Sequence, residues 1–357
     1  MRLAQVAPLA ESVPPRLYGG TERVVWTLTE ELVRQGHDVT LFASGDSLTS
    51  ARLVPVVRQA LRLSGCQDAL APHVLQLEEV LKRADQFDVV HFHISQIHFP
   101  VVRRFPTAHV TTLHGRLDIP ELVPLFQEFS DIPCVSISDA QRLPLPHANW
   151  VATVHHGLPP GRLAFEPRHG SYLAFLGRVS PEKRVDRAIA IARAAGMPLR
   201  IAAKVDPADA KYFEQEIRLL LDDPLVEFIG EIGEAEKSEF LGGARALLFP
   251  IDWPEPFGLV MIEAMACGTP VIAFRGGSVD EVLEEGVSGF VVESVEEAVD
   301  AVARIDALDR RVCRDSFERR FTAARMAADY VDLYQRLRAA APSMVEVADP
   351  SCSTSYA

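Results

Sequence analysis

Paired cysteines are missing from this 357-residue chain. Its five cysteines, Cys66, Cys134, Cys267, Cys313 and Cys352, lie far apart, form no C-x-x-C and leave one over. A disulfide scaffold is excluded, and buried thiols in a reducing compartment are the expectation. Long apolar runs are absent too. The most apolar stretch, residues 259–274, carries Glu263 and a Gly-Thr-Pro break, and is too short to span a bilayer. The opening RLAQVA reads as a strand rather than a signal segment. The expected location is the cytoplasm, with peripheral contact to the inner face of a membrane allowed. Positive charge is scarce: 36 Lys and Arg against 49 Asp and Glu give a net charge of −13. That disfavours a nucleic-acid partner but permits a local basic pocket for phosphate. Neither G-x-G-x-x-G nor G-x-x-x-x-G-K-[ST] occurs, which counts against an NAD dehydrogenase and a P-loop NTPase.

What is present is a globular composition of 48% hydrophobic and 24% charged residues, long enough for two domains. Strand 3–7, a helix carrying Val24, Val25, Leu28 and Leu32, a stop at Gly36 and strand 39–43 make a βαβ unit. Further strands are expected at 88–93, 109–113, 134–138 and 152–154. A Pro, Gly and Arg-rich segment, 159–171, reads as a linker. A second series follows at 172–176, 199–205, 226–229, 246–249, 271–274 and 290–292. Near-continuous apolar strands alternating with helices predict two α/β domains with buried parallel sheets. The expected division is 1–165, 166–322, a terminal helix 323–340 and a disordered tail 341–357. Met326, Tyr330, Tyr334 and Leu337 give that helix an apolar stripe, expected to dock on the first domain.

Three loops at strand ends carry the chemistry. Gly19-Gly20-Thr21-Glu22 precedes the first helix, where glycines let backbone N–H groups approach an anion, although a plain turn explains them as well. Gly177-Arg178-Val179-Ser180-Pro181-Glu182-Lys183 brings an Arg and a Lys within reach of one polyanion. A solvated charge run is the alternative. In PEPFGLVMIEAMACGTP, Glu255 precedes a helix expected to start near Phe257, and Glu263 stands inside it. The predicted offset is roughly 9 Å along the axis, the span from a sugar ring to a ribose across a diphosphate. The helix is apolar nearly all round, so Glu263 is buried and needs partners. His91, His93 and His98 invite a metal reading, but no acidic or cysteine partner is spaced near them and no Asp-x-Asp motif exists. A polar strand end at the cleft is the preferred reading, with no metal site.

Glu255-x7-Glu263 in this setting, with GRVSPEKR upstream and GGTE near the start, resembles the GT-B glycosyltransferases of family 4 over about residues 1–338. The resemblance implies two Rossmann-like domains facing a cleft and a terminal helix crossing back to the first. It implies that Arg178 and Lys183 bind the donor diphosphate, with Gly20 closing over it and the amides of Gly258 and Leu259 meeting a phosphate. It further implies that Glu255 holds hydroxyls of the transferred sugar, Glu263 the ribose, and Gly230 and Ile232 the base. His114 is placed beside the donor sugar, and Ser136 and Ser138 on the acceptor side. Structural roles for these three, as strand-end residues bonded to their own domain, stay open. Two departures stand out: His156-Gly157 replaces the usual Asn-Gly, and Gly276-Gly277-Ser278-Val279-Asp280-Glu281 replaces Gly-Gly-x-Pro-Glu.

The expected activity is retaining, metal-independent hexosyl transfer from a nucleoside-diphosphate sugar, a UDP-sugar ahead of a GDP-sugar, to an unidentified acceptor hydroxyl. No cofactor besides that co-substrate is expected. A non-catalytic nucleotide-sugar binder and a glycosidase using Glu255 and Glu263 are the alternatives. The glycosidase leaves Arg178 and Lys183 without a role.

Overall fold

Short apolar strands joined by amphipathic helices can bury both faces only as parallel sheets with helices on either side, and the computed structural model, which describes residues 1–17 and 19–340, contains two of them. The first comprises β1 (Arg2–Val6), β2 (Asp38–Ser44), β3 (Arg52–Val57), β4 (Val89–Phe92), β5 (His109–Thr112), β6 (Cys134–Ser136) and β7 (Trp150–Thr153). The second comprises β8 (Tyr172–Val179), β9 (Leu199–Val205), β10 (Val226–Gly230), β11 (Ala244–Phe249), β12 (Val271–Phe274) and β13 (Gly289–Val292). Their orders are β3-β2-β1-β4-β5-β6-β7 and β10-β9-β8-β11-β12-β13, and the paired strands run parallel. β3 escapes the sequence reading because Pro55 interrupts its apolar run. A proline is tolerated here because β3 is the sheet edge.

The chain crosses between domains twice, side by side. Leu158 N–H donates to the Phe321 carbonyl at 2.9 Å, and Ala323 N–H donates to the Leu158 carbonyl at 2.9 Å. A side chain at Gly157 would overlap the Thr322 backbone, so the close approach of the two crossings requires glycine. After the second crossing, the helix Ala323–Ala340 lies on the first domain. Met326, Ala327, Tyr330, Leu333 and Tyr334 share a core with Leu3, Val24, Leu28, Leu32 and Val89. Residues from Ala341 onward, where the tail was expected, lie outside the described residues.

Glu281 adds a polar contact between the domains. Its carboxylate accepts from the backbone N–H groups of Asp139 and Ala140, both at 2.7 Å, and from His155 Nε2 at 3.1 Å. Burial opposes the charge, but these bonds hold the carboxyl below its ordinary range. Cys134, Cys267 and Cys313 are buried free thiols, whereas Cys66 is exposed, contrary to the expectation for it. Among the described residues, no helix is long and apolar enough to cross a membrane.

Candidate active site

In each sheet the strand order reverses beside the domain's first strand, between β1 and β4 and between β8 and β11. Ligands of such sheets bind beyond the carboxyl ends of the strands at that point. A cavity of about 500 Å³ lies there, walled by both domains. The first domain supplies Gly20, His114 and His156; the second supplies Arg178, Lys183, Ile232, Glu255, Gly258, Leu259 and Glu263.

Two helix N-termini meet at this cavity. The helix Gly20–Arg34 begins so close to the other domain that a Cβ on Gly20 would stand 3.6 Å from Leu259 Cδ1. Opposite it, Gly258 caps the helix Leu259–Ala266 in the left-handed region, at φ 76°. A side chain there would press on Met261 Cε at 2.7 Å and the Phe249 ring at 3.0 Å. This glycine turn delays the helix to Leu259 rather than Phe257. Glu263 therefore lies one turn inside it, roughly 6 Å along the axis instead of 9 Å. The first-turn N–H groups of a helix have no intrahelical acceptor and carry the positive end of its dipole.

The loop ahead of this helix is braced from below. Ser278 N–H donates to the Glu255 carbonyl at 2.9 Å, and its hydroxyl donates to the Phe257 carbonyl at 2.9 Å. Gly277, at φ 56°, leaves no room for a Cβ against the Glu255 backbone. Both glutamates are buried and paired with lysines. Lys183 Nζ contacts Glu255 Oε2, which also accepts from the Trp253 indole at 3.0 Å. Lys237 Nζ lies 2.6 Å from Glu263 Oε1 and 3.4 Å from Glu234. Glu234 in turn pairs with Arg23 of the first domain and, at 2.7 Å, with Arg162. Arg178 stands on the same wall, bonded to Glu182 at 2.6 Å and 3.4 Å from Asp209.

Gly230 ends β10 in the left-handed region, at φ 79°, and aims the chain so that Ile232 lines the cavity, although Gly230 itself does not. His114 follows β5 and lines the cavity. Its Nε2 is 2.9 Å from His93 Nδ1 and its ring stacks on His156 at 5.3 Å. Burial pushes its pKa down to about 3, so the ring is neutral near pH 7. Ser136 and Ser138, expected on the acceptor side, are not among the residues that line this cavity. Ser136 accepts from Arg142 at 2.8 Å and is 3.0 Å from Thr153 Oγ1, while Ser138 accepts from Gln141 N–H at 3.1 Å. Both are buried, and a buried hydroxyl takes the partners within its own domain. His98 is likewise used internally, 2.7 Å from Thr111 Oγ1 and stacked on Phe92. Among the described residues, no group of three or more His, Cys, Asp or Glu is placed to hold a metal ion.

Sequence reasoning passed over Lys237, Trp253 and the Arg23–Glu234 pair. Lys237 sits in EAEKSEF, whose charges are spaced as on any solvated helix face. The demand that a buried Glu263 have a partner was the only signal for it.

Two facing doubly wound sheets, a cavity at their shared switch point and a terminal helix crossing back define the GT-B class of glycosyltransferases. Comparisons with known proteins narrow the class. The family model Glycosyltransferase Family 4 matches residues 18–211, and Glycosyl transferases group 1 matches residues 165–312. The chain is 25% identical to the phosphatidyl-myo-inositol mannosyltransferase of Mycobacterium tuberculosis, over 92% of each chain. It is 30% identical to the D-inositol 3-phosphate glycosyltransferase of Saccharomonospora viridis over 49% of its own length, and spans 44% of that protein. The solved structure of AviGT4, a glycosyltransferase involved in avilamycin A biosynthesis, superposes with a TM-score of 0.73 at 27% identity, covering 96% of this chain and 99% of the other. The chain belongs to glycosyltransferase family 4.

Proposed function

We propose that the protein transfers a hexosyl group from a nucleoside-diphosphate sugar to an acceptor hydroxyl, retaining the donor's α-configuration and needing no metal ion. One observation carries the reading: a helix N-terminus opens into the cavity between two buried glutamates, each matched by a lysine. The diphosphate lies against the first turn at Gly258 and Leu259, with Gly20 above it and Arg178 and Lys183 beside it. Glu263 accepts from the ribose hydroxyls, Glu255 from hydroxyls of the transferred sugar, and the base sits by Gly230 and Ile232. As the glycosidic bond breaks, negative charge grows on the leaving diphosphate, where fixed N–H groups and cations stabilise it most effectively. The acceptor attacks from the face the diphosphate leaves, and a phosphate oxygen takes its proton. Retention rests on family membership, and metal independence on the cations and N–H groups that line the cavity.

A glycosidase is the weaker reading. Each glutamate is paired with a lysine, and the glycosidase reading gives no role to those lysines or to Arg178.

The test is thermal unfolding with UDP, GDP, UDP-glucose, UDP-N-acetylglucosamine and GDP-mannose, followed by transfer assays with the donor that binds. A ligand at 100 times its dissociation constant stabilises by about 2.7 kcal/mol. The uridine compounds are expected to raise Tm most. No shift with any nucleotide overturns the reading, and binding without turnover on any acceptor favours a nucleotide-sugar binding protein instead.

A further inference from the structure

Two of the histidines set aside as metal ligands, His91 and His93, form part of a buried hydrogen-bonded chain that ends at the cavity. His114 Nε2 is 2.9 Å from His93 Nδ1, and His93 Nε2 is 2.9 Å from Gln5 Oε1. Gln5 Nε2 donates to the Tyr334 hydroxyl at 3.2 Å, and that hydroxyl is 2.7 Å from His91 Nδ1. His91 Nε2 is 2.7 Å from Thr112 Oγ1. Gln5, His91, His93, Thr112 and Tyr334 are all buried.

The amide of Gln5 gives this chain a direction. A carboxamide oxygen only accepts, so His93 carries its proton on Nε2 and offers a bare Nδ1. His114 must then donate from Nε2, which leaves its own Nδ1 unprotonated. On the other side, the Tyr334 hydroxyl accepts from Gln5 and so donates to His91 Nδ1, leaving the His91 Nε2–H for Thr112. Each bond of the chain then joins one donor to one acceptor. A second observation agrees. His114 Nδ1 is out of solvent and has no hydrogen-bond partner within the chain. A buried N–H without an acceptor is rarer in proteins than an acceptor without a donor.

We propose that His93, oriented by Gln5 and Tyr334, is a positioning residue that locks His114 as the Nε2–H tautomer and so keeps Nδ1 as a hydrogen-bond acceptor for a hydroxyl of the donor sugar. The tautomer rests on the Gln5 carbonyl oxygen facing His93 together with the partnerless His114 Nδ1. The sugar contact rests on the donor reading given above. The terminal helix, through Tyr334, thus takes part in setting the chemistry of a cleft residue it does not touch.

The test is a long-range ¹H–¹⁵N spectrum of ¹⁵N-histidine-labelled full-length protein near pH 7.5, with His114 assigned by the signals lost in His114→Gln. In the native protein Nε2 is expected at the protonated shift and Nδ1 at the unprotonated shift. Gln5→Met keeps the side-chain length but removes the amide, and Tyr334→Phe removes only the hydroxyl, so one variant remains if the other fails to fold. In either, His114 is expected to become a mixture of tautomers. kcat with a nucleotide-sugar donor should fall roughly tenfold, the scale of one lost hydrogen bond, while affinity for the nucleoside diphosphate stays unchanged. A protonated Nδ1 in the native protein, or an unaltered His114 spectrum in both variants, overturns the relay. If the native protein transfers no sugar, the donor reading fails, and the spectra still decide the tautomer independently.

Discussion

The ammonium of Lys183 and the carboxylate of Glu255 form an ion pair in the cleft, beneath the Trp253 ring, whose centroid is 5.0 Å from Lys183 Nζ. The pair keeps a buried glutamate compensated by a cation. On the proposed reading, a diphosphate beside Leu259 offers Lys183 a second anion, and sugar hydroxyls offer Glu255 new donors. Binding therefore redistributes existing charge contacts instead of burying a bare charge.

Replacing Arg178 or Lys183 by Ala should weaken UDP or GDP binding about 10- to 100-fold, since a hydrogen bond to a charged group contributes about 1.5–3 kcal/mol. Titration calorimetry reads this directly. Unchanged affinity in both variants would remove these residues from the diphosphate site.

Glu255→Gln should bind nucleoside diphosphate nearly as well as the native protein, since the amide oxygen still meets Lys183, and lose most of its transfer activity, because the sugar loses a charged acceptor. The native protein should retain its rate in EDTA, and proton NMR of the product from an α-linked donor should show an α-linkage. A β-linked product refutes retention, and a rate lost in EDTA and restored by Mg²⁺ refutes metal independence.

Lys237→Met leaves Glu263 buried with no cation and should cost about 3–5 kcal/mol, seen as a lower urea midpoint. The double variant Lys237→Met, Glu263→Gln should recover much of that loss, since both charges are gone. Equal stabilities for the native and single-variant proteins would show that the pair contributes nothing.

His91, His93, His98 and His156 are held well below the ordinary histidine range by burial first and by neighbouring histidines second, with Arg325 adding to the effect on His156, and burial alone takes His114 down to about 3. The folded rings stay neutral where the unfolded chain takes up protons. Stability should be fully present above the unfolded pKa near 6.5 and fall as the pH drops from there toward 3. The slope is up to about 1.4 kcal/mol per pH unit for each histidine. Urea midpoints from pH 8 to pH 5 check this, and a flat profile across that range contradicts it.

Periodicity made the two sheets legible, because each strand signals its own burial through a few adjacent residues. The Glu255 to Glu263 segment was legible for a related reason: a carboxylate on an all-apolar helix stands out without knowledge of its neighbours. What escaped depends on pairing across the fold. Lys237 meets Glu263 from another helix, 26 positions away, and the Glu281 latch spans 142 positions to Asp139. Neither spacing carries a local signature. The delayed start of the helix at Leu259 arises from the left-handed Gly258, a conformation that glycine permits but its position does not announce. Ser136 and Ser138 show the reverse case. Their positions suggested a ligand, and their internal partners, the N–H groups of Arg142 and Gln141, were not visible in the sequence.

The docking of Tyr334 on the first sheet also bears on the order in which the molecule is assembled. Its hydroxyl reaches His91 across 243 positions of sequence. At typical synthesis rates of about 5–20 residues per second, a ribosome emits the first sheet some tens of seconds before the helix that covers it. During that interval the slot for Tyr330 and Tyr334 is open, and His91, Gln5 and Thr112 along its floor lack the bonds that the two tyrosine hydroxyls later make. The nascent first domain is thus an incomplete body whose final wall is delivered only after the second domain has emerged.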